Sequence, residues 1–504
     1  MRLKNIISAA TAACILAGSC ITPAAVCALD LYGDVNLDNS VDVADAVMIA
    51  RYYVMDWGLH ITDAGKELGD VNRDGNLDDK DLKQVLEYIA RKRTVLGTAE
   101  QQTEQQYQAV KLTDSVDAET VSGQKATQEF IDSQIKLAVD LFKGAAQDPQ
   151  SDGEDVLISP LSVSQALAMT TNGANGQTKE EMEKLLGDGL DADALNQYYY
   201  DYTARLTEGD NAALHLANSV WFKQDDQNLS VPDLFLKTVK NYYHAEAFAA
   251  PFDDSTVVDI NSWVNYHTHG MIPTLIDHMD TNWLMMLINA LAFEAEWAHP
   301  YTHNDILANT FHAYDGDMTV EMMFSSESTY LHDDSATGFI KPYKDGKFSF
   351  AAILPNEGVT LSDYIGNMTP ESLQAILNSK SSEEVRTKMP KFKHDYSITM
   401  NEMLKKLGMQ RAFSDIAEFD GLNEKGNTCI DSVIHKTFVQ VDERGTKAGA
   451  VTAVIMAQTA AISEPPQPKY VYLDRPFIYM ILDNETGLPF FIGYVLHPTA
   501  SDAE

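Results

Sequence analysis

Between residues 33 and 81 the chain writes one oxygen-rich pattern twice. The first copy is Gly33-Asp34-Val35-Asn36-Leu37-Asp38-Asn39-Ser40-Val41-Asp42-Val43-Ala44-Asp45, and the second, Gly69-Asp70-Val71-Asn72-Arg73-Asp74-Gly75-Asn76-Leu77-Asp78-Asp79-Lys80-Asp81, follows 36 residues later. Each copy places Asp or Asn side chains at loop positions 1, 3, 5, 9 and 12: Asp34, Asn36, Asp38, Asp42 and Asp45, then Asp70, Asn72, Asp74, Asp78 and Asp81. The backbone carbonyls of Ser40 and Asn76, at position 7, would complete a shell of oxygens. Such a shell suits calcium, which takes about six to eight oxygens at forgiving distances, better than magnesium, which demands a rigid octahedron and keeps its waters. One such stretch alone could be an ordinary Asp/Asn-rich turn; two in matching register point to two calcium ions. After each loop apolar residues recur at helical spacing, Ala46, Ile49, Ala50 and Tyr53, then Leu82, Val85, Leu86 and Ile89, so a helix is expected after each loop and none of helix length before it. Position 12 is Asp where an EF-hand has the longer Glu.

This small all-α module, over residues 29–96, resembles a type I dockerin, a pair of EF-hand-like loop–helix repeats. The resemblance implies binding to a cohesin module of a scaffold protein, with loop positions 10 and 11 selecting the partner. Those positions are Val43 and Ala44 in one repeat and Asp79 and Lys80 in the other. They differ so strongly that one binding orientation is expected rather than two equivalent ones.

Ahead of the module, Arg2 and Lys4 precede an apolar run from Ile6 to Leu16, and Val26-Cys27-Ala28 fits signal-peptidase cleavage. Residues 1–28 therefore read as a signal peptide and the chain as secreted; Leu16-Ala17-Gly18-Ser19-Cys20 offers a lipoprotein alternative. Of four cysteines only Cys429 lies beyond that segment, so stability must come from packing rather than disulfides. A formal charge of −37 argues against nucleic-acid binding, which needs clustered Lys and Arg. No later segment is apolar enough to span a bilayer. Residues 97–127, polar and Gln-rich, read as a flexible linker.

The rest, residues 128–500, mixes both element types. Phe130 to Phe142 reads as an amphipathic helix, and Ser159 caps a second one with Pro160 at its first turn. Strands are expected at Leu214 to Phe222, Leu284 to Ala295 and Phe348 to Leu354, and Asn484-Glu485-Thr486-Gly487 splits a closing hairpin between Phe477 and Leu496. Several segments, in order, resemble the serpin family: Ser159-Pro160-Leu161-Ser162, Asn172-Gly173-Ala174-Asn175-Gly176-Gln177-Thr178, Asn261-Ser262-Trp263-Val264-Asn265, Ile288-Asn289-Ala290 with Phe293 and Trp297, Pro390-Lys391-Phe392 and Asp474-Arg475-Pro476-Phe477. The resemblance implies an α+β fold with a large central sheet, two further sheets, surrounding helices and an exposed reactive loop. It also implies suicide inhibition of a serine protease: the loop is cut, a covalent complex forms, and the loop inserts into the main sheet.

By the same resemblance Glu443 and Gly445 open the hinge of that loop. Thr446, Ala448, Ala450 and Thr452 would share the strand face that enters the core; all are small, and no Pro interrupts the ladder through Ala461. Lys447 falls on the solvent row, in place of the family's usual acid, and Val451 is bulkier than usual. Family spacing puts the scissile bond between Thr459 and Ala460; extra length at Ser463-Glu464-Pro465-Pro466-Gln467-Pro468 leaves a site nearer Ile462 open. Small neutral neighbours suit elastase-like or subtilisin-like proteases. Ser159, Ser162, Asn289 and His435 resemble the family's polar cluster under the sheet, and Trp297, Lys391 and Glu443 the place where the loop first enters. Apart from Glu443, which belongs to the hinge itself, these six residues are expected to control insertion, with no cofactor needed for inhibition.

Two rivals stand beside this reading. Dockerins usually carry glycan-degrading enzymes of polysaccharide catabolism, but 74 acids make any catalytic pair illegible, and no Gly-x-Ser-x-Gly elbow surrounds Ser159. A non-inhibitory serpin, acting as a binding or structural protein on the scaffold, is the other. The expectation is a monomeric extracellular inhibitor, not an enzyme, associated with a cellulosome-type cell-surface scaffold.

Overall fold

The computed structural model of the chain describes residues 32–37, 41–53, 61–72, 76–89, 107–207, 214–225, 227–268, 270–426, 428–446 and 467–499, which divide into two compact units on either side of residue 101. The signal segment, Asp38, Ser40 and Asp74 of the loops, and Ala448, Ala450, Thr452, Thr459 and Ala460 of the reactive loop lie outside these residues.

In the first unit α1 (Val43–Tyr53) and α3 (Asp79–Ile89) each begin at position 10 of an oxygen-rich loop. Val35, Ala46, Ile49, Ile61, Val71 and Val85 form a small core, while Tyr53 and Leu86, expected on the inner faces, are exposed. The expectation that no helix precedes a loop is corrected at the second one, where α2 (Asp63–Gly69) intervenes. Thr62 starts it, its hydroxyl accepting from the Gly65 amide at 3.1 Å. The helix is short and glycine-bearing because it lies against the first loop: a Cβ on Gly65 would meet the Val35 carbonyl oxygen at 2.3 Å.

The second unit is built on one large sheet with a core on each face. Its strands, in chain order, are β1 (Val110–Lys111), β2 (Leu214–Lys223), β3 (Glu246–Ala250), β4 (Met285–Phe293), β5 (Ala295–Glu296), β6 (Phe392–Thr399), β7 (Ser432–Val441) and β8 (Gly445–Thr446). They lie in the order β1-β3-β2-β4-β7-β8-β5, with β6 paired to the far edge of β7. β4 is buried along its whole length and reads accordingly as a nearly continuous apolar run broken by Asn289. One face packs on α4 (Gln128–Ala146), α5 (Pro160–Thr171), α6 (Gly176–Gly187), α7 (Ala192–Thr207) and α8 (Asp233–Tyr243); the other packs Trp221, Phe248, Ile288 and Ala290 beneath α9 (Asp254–His267) through Ile260, Trp263 and Val264. All twelve residues of α5 are buried, so it is a core helix rather than an amphipathic one. A six-stranded sheet runs from Val156–Ile158 to Thr329–His332 with the hairpin Phe477–Asp483 and Pro489–Val495 inside it, and a four-stranded sheet runs from Lys469–Tyr472 to Ile306–Ala313. The expected α+β architecture with one large and two further sheets is therefore present.

The linker expected over residues 97–127 is shorter than the sequence suggests. From Tyr107 the chain is a strap bound to the second unit. β1 extends the large sheet by pairing antiparallel to β3, and the Ala109 amide donates to Asp259 Oδ2 at 2.7 Å. Lys240 Nζ then donates to the carbonyls of Thr113 and Val116, at 3.0 and 2.7 Å, and the Glu119 amide to Asn241 Oδ1 at 2.9 Å. Thr113 and Val116 are buried.

Candidate functional site

Two features of the large sheet stand together. The first is a joint between strands that run the same way: β4 and β7 pair in parallel from Met286↔Ser432 to Ala292↔Phe438. The second is what the chain does at the top of β7. It turns at Asp442 to Arg444, and Gly445 and Thr446 run back between β7 and β5, antiparallel to both, with Thr446 opposite Val441 on one side and Ala295 on the other. The loop thus starts back along the line of the joint, one residue pair deep.

The turn is held by the residues around it. Asp442 Oδ1 accepts from the amides of Arg444 (2.9 Å) and Gly445 (3.3 Å), and burial pushes its carboxyl up to about 6. The Trp297 indole N–H donates to the Asp442 carbonyl at 2.9 Å, and its backbone amide donates to the Arg444 carbonyl at 2.8 Å. Glu443 is buried and its carboxylate meets Lys391 Nζ at 2.8 Å; Lys391 is shared with Glu321 at the same distance. Trp297, Lys391 and Glu443 thus lie together around this turn.

Sequence reasoning missed Asp442 and Tyr343. Tyr343 is fully buried, stacks on Trp297 with ring centroids 4.6 Å apart, and its hydroxyl meets Thr446 Oγ1 at 2.5 Å. A β-strand end followed by Tyr carries no signal of this, and Gly445 was placed in the hinge by resemblance alone. A Cβ there would lie 2.0 Å from the Ala295 carbonyl oxygen, so the backbone can enter only as glycine.

The second cluster lies midway down the joint. His435 faces Asn289 directly across it, and Asn218 faces Asn289 on the next strand. The Ser159 amide donates to His435 Nε2 at 3.0 Å, so this nitrogen carries no proton and Nδ1–H donates to Asn289 Oδ1, also at 3.0 Å. The Ser162 hydroxyl donates to the same Asn289 oxygen, and its amide donates to Ser159 Oγ at 3.2 Å. Complete burial drives the imidazole down to about 3, so it is neutral. All four expected residues are thus in one network that ties α5 to the two strands of the joint.

In the first unit Asp45 Oδ1 accepts from the amides of Val35 (2.8 Å) and Asn36 (3.2 Å) and Oδ2 from Asp42 (2.9 Å); Asp81 repeats this with Val71, Asn72 and Asp78. Burial pushes the Asp81 carboxyl up to about 7. Val43 and Ala44 are exposed, as are Asp79 and Lys80 at the matching place.

A family model described as serpin (serine protease inhibitor) matches residues 132–498, and one for the dockerin type I domain matches residues 32–90. An uncharacterized serpin-like protein of Thermococcus kodakarensis is 32% identical over 365 residues, 71% of this chain and 83% of that protein. Alpha-1-antiproteinase of Rattus norvegicus is 27% identical over 69% of this chain and 85% of its own length. Among solved structures, tengpin, a thermophilic serpin, in its native state superimposes with a TM-score of 0.72 at 42% identity, covering 77% of this chain and 100% of that one. The same relative in its latent state gives 0.65 at 40% identity, over 75% and 100%. The chain belongs to the serpin family and carries a type I dockerin domain ahead of its serpin fold.

Proposed function

We propose that the protein is a secreted suicide inhibitor of serine proteases with small-residue preference, elastase-like or subtilisin-like, held on an extracellular scaffold by its dockerin. The observation that carries the inhibitory reading is the parallel β4–β7 joint with Gly445 and Thr446 already turned back along it. An extended segment entering there runs antiparallel to both neighbours and exchanges one parallel ladder for two antiparallel ones, which are slightly more stable per residue. In the reaction the protease serine oxygen bonds to the Thr459 carbonyl carbon. The Thr459–Ala460 amide breaks, and its nitrogen leaves as the new Ala460 amine, carrying the proton the serine gave up to the protease's own base. Thr459 remains as an ester on the protease. Insertion of Thr446 to Thr452 and beyond then carries the ester away from the loop's starting place before water can cleave it. The inhibitor itself performs no catalysis.

The dockerin loops fit calcium. Asp34, Asp45 and Asp81 are buried, the described positions Asn36, Asp42, Asp70, Asn72 and Asp78 add side-chain oxygens and Asn76 a backbone carbonyl, and Asp38, Ser40 and Asp74 would complete the two sets. A bound calcium would supply the positive charge that several enclosed carboxylates require. Val43 and Ala44 give the first repeat an apolar contact for cohesin, whereas Asp79 and Lys80 give the second a charged one, so one docking orientation is expected.

The test is denaturing gel electrophoresis after mixing the protein with subtilisin or an elastase, with mass spectrometry of the released C-terminal fragment. A band near the summed mass and a fragment beginning at Ala460 are expected. Clean cleavage without a complex at every protease tried would refute inhibition and leave a binding protein.

A further inference from the structure

We propose that Tyr343 and Thr446 form a seat that fixes the register of the inserting loop before any protease arrives; this rests on the inhibitory reading above. Thr446 is fully buried and strand-paired on both sides, to Val441 and to Ala295. Its hydroxyl meets that of Tyr343, which is itself clamped face to face on Trp297. Trp297 holds the carbonyls of Asp442 and Arg444, so the seat and the turn above it are one rigid body.

The need for such a seat follows from the loop's own sequence. Continued from Thr446, the pairing sets Ala448 opposite Val439 and Phe293, Ala450 opposite Thr437 and Leu291, and Thr452 opposite His435 and Asn289. Small residues then meet the crowded inner face, and a hydroxyl arrives where His435 and Asn289 must part. A slip of one residue turns every side chain to the other face. It would press Lys447 into that interior, where an unpaired charge is costly. Small, featureless side chains such as alanine cannot oppose the slip themselves. The hydroxyl pair can, because a slipped chain leaves the buried Tyr343 hydroxyl without its partner. Tyr343 and Thr446 are thus positioning residues for insertion.

The test compares wild type with Thr446→Val, Tyr343→Phe, the double variant and Thr446→Ser in the full chain. Each is titrated against the trapped protease for the number of inhibitor molecules consumed per complex, and its thermal transition is read before and after loop cleavage. Loss of one buried hydrogen bond lowers the preference for the correct register over a slipped one by about five- to tenfold, so both single variants should be consumed as substrate several times more often than wild type. The double variant should be no worse than either single one, and Thr446→Ser should restore wild-type consumption. Gly445→Ala, which keeps the hydroxyl but cannot seat it, should behave like the single variants. Equal consumption by wild type, Thr446→Val and Tyr343→Phe, or a Thr446→Ser variant as poor as Thr446→Val, overturns the seat while leaving inhibition standing. A wild type that neither traps protease nor gains stability on cleavage removes both.

Discussion

Lowering the pH should loosen the β4–β7 joint through one residue, His435. Its Nε2 accepts the Ser159 amide and its Nδ1–H reaches Asn289, so a second proton on Nε2 would set a cation donor against an amide donor. Burial holds the folded-state value near 3, against about 6.5 in the unfolded chain. The unfolded chain therefore binds the proton first. Stability from this site is intact above about pH 6.5 and declines as the pH falls toward 3. At pH 5 the loss relative to pH 7.5 is about 2 kcal/mol, from roughly 1.4 kcal/mol for each pH unit below 6.5. The assay is the midpoint of the first urea transition at several pH values, for wild type and for His435→Gln. Glutamine can offer an oxygen to Ser159 and an N–H to Asn289 but does not titrate in this range. Carboxylates shared by both proteins cancel in the difference, which should open by about 2 kcal/mol between pH 7.5 and 5. Parallel pH profiles for the two proteins would refute the reasoning.

Lys391→Met should lower the first thermal transition, because it strands the buried Glu443 carboxylate. Lys391 is itself part-exposed, so the loss is set at about 2 kcal/mol, below the value for a fully enclosed pair; adding Glu443→Gln should recover part of it. Lys240→Met should release the strap, since it removes the donor to Thr113 and Val116. Trypsin should then cut after Lys111, while wild type resists, and unchanged digestion patterns would count against the strap's attachment. Calcium chelation should abolish cohesin binding and leave protease trapping unchanged, measured on the same preparation.

Much of this was legible in the chain. Ser159 does cap α5 with Pro160 behind it, and the Asn484–Gly487 turn does close a hairpin, because cap and turn chemistry are local. The doubled loops gave their helices for the same reason. The strap was not legible: β1 is two residues long and its partner β3 lies more than a hundred residues onward, so neither periodicity nor composition marks it. Tyr343 was hidden similarly, since its role comes from a stack on Trp297 and a hydroxyl contact to Thr446, both distant in sequence. Glu443 and Lys391 could be paired only through the family resemblance, and the geometry then supplied the 2.8 Å contact.

Of the two parallel joints in the large sheet among the described residues, the one between β4 and β7 is, on the proposed insertion reading, a place for one more strand, and such a place would not discriminate by ownership. By backbone pairing alone, any extended segment of small side chains would complete it. A tethered loop acts at an effective concentration of about millimolar, against roughly micromolar for a loop on another copy. In dilute solution each molecule is therefore favoured to complete itself by about a thousandfold. Crowding copies side by side on one scaffold would erode that margin. On the proposed reading, anchoring through the dockerin would thus also set an upper limit on how densely the protein can be displayed before copies begin to complete one another.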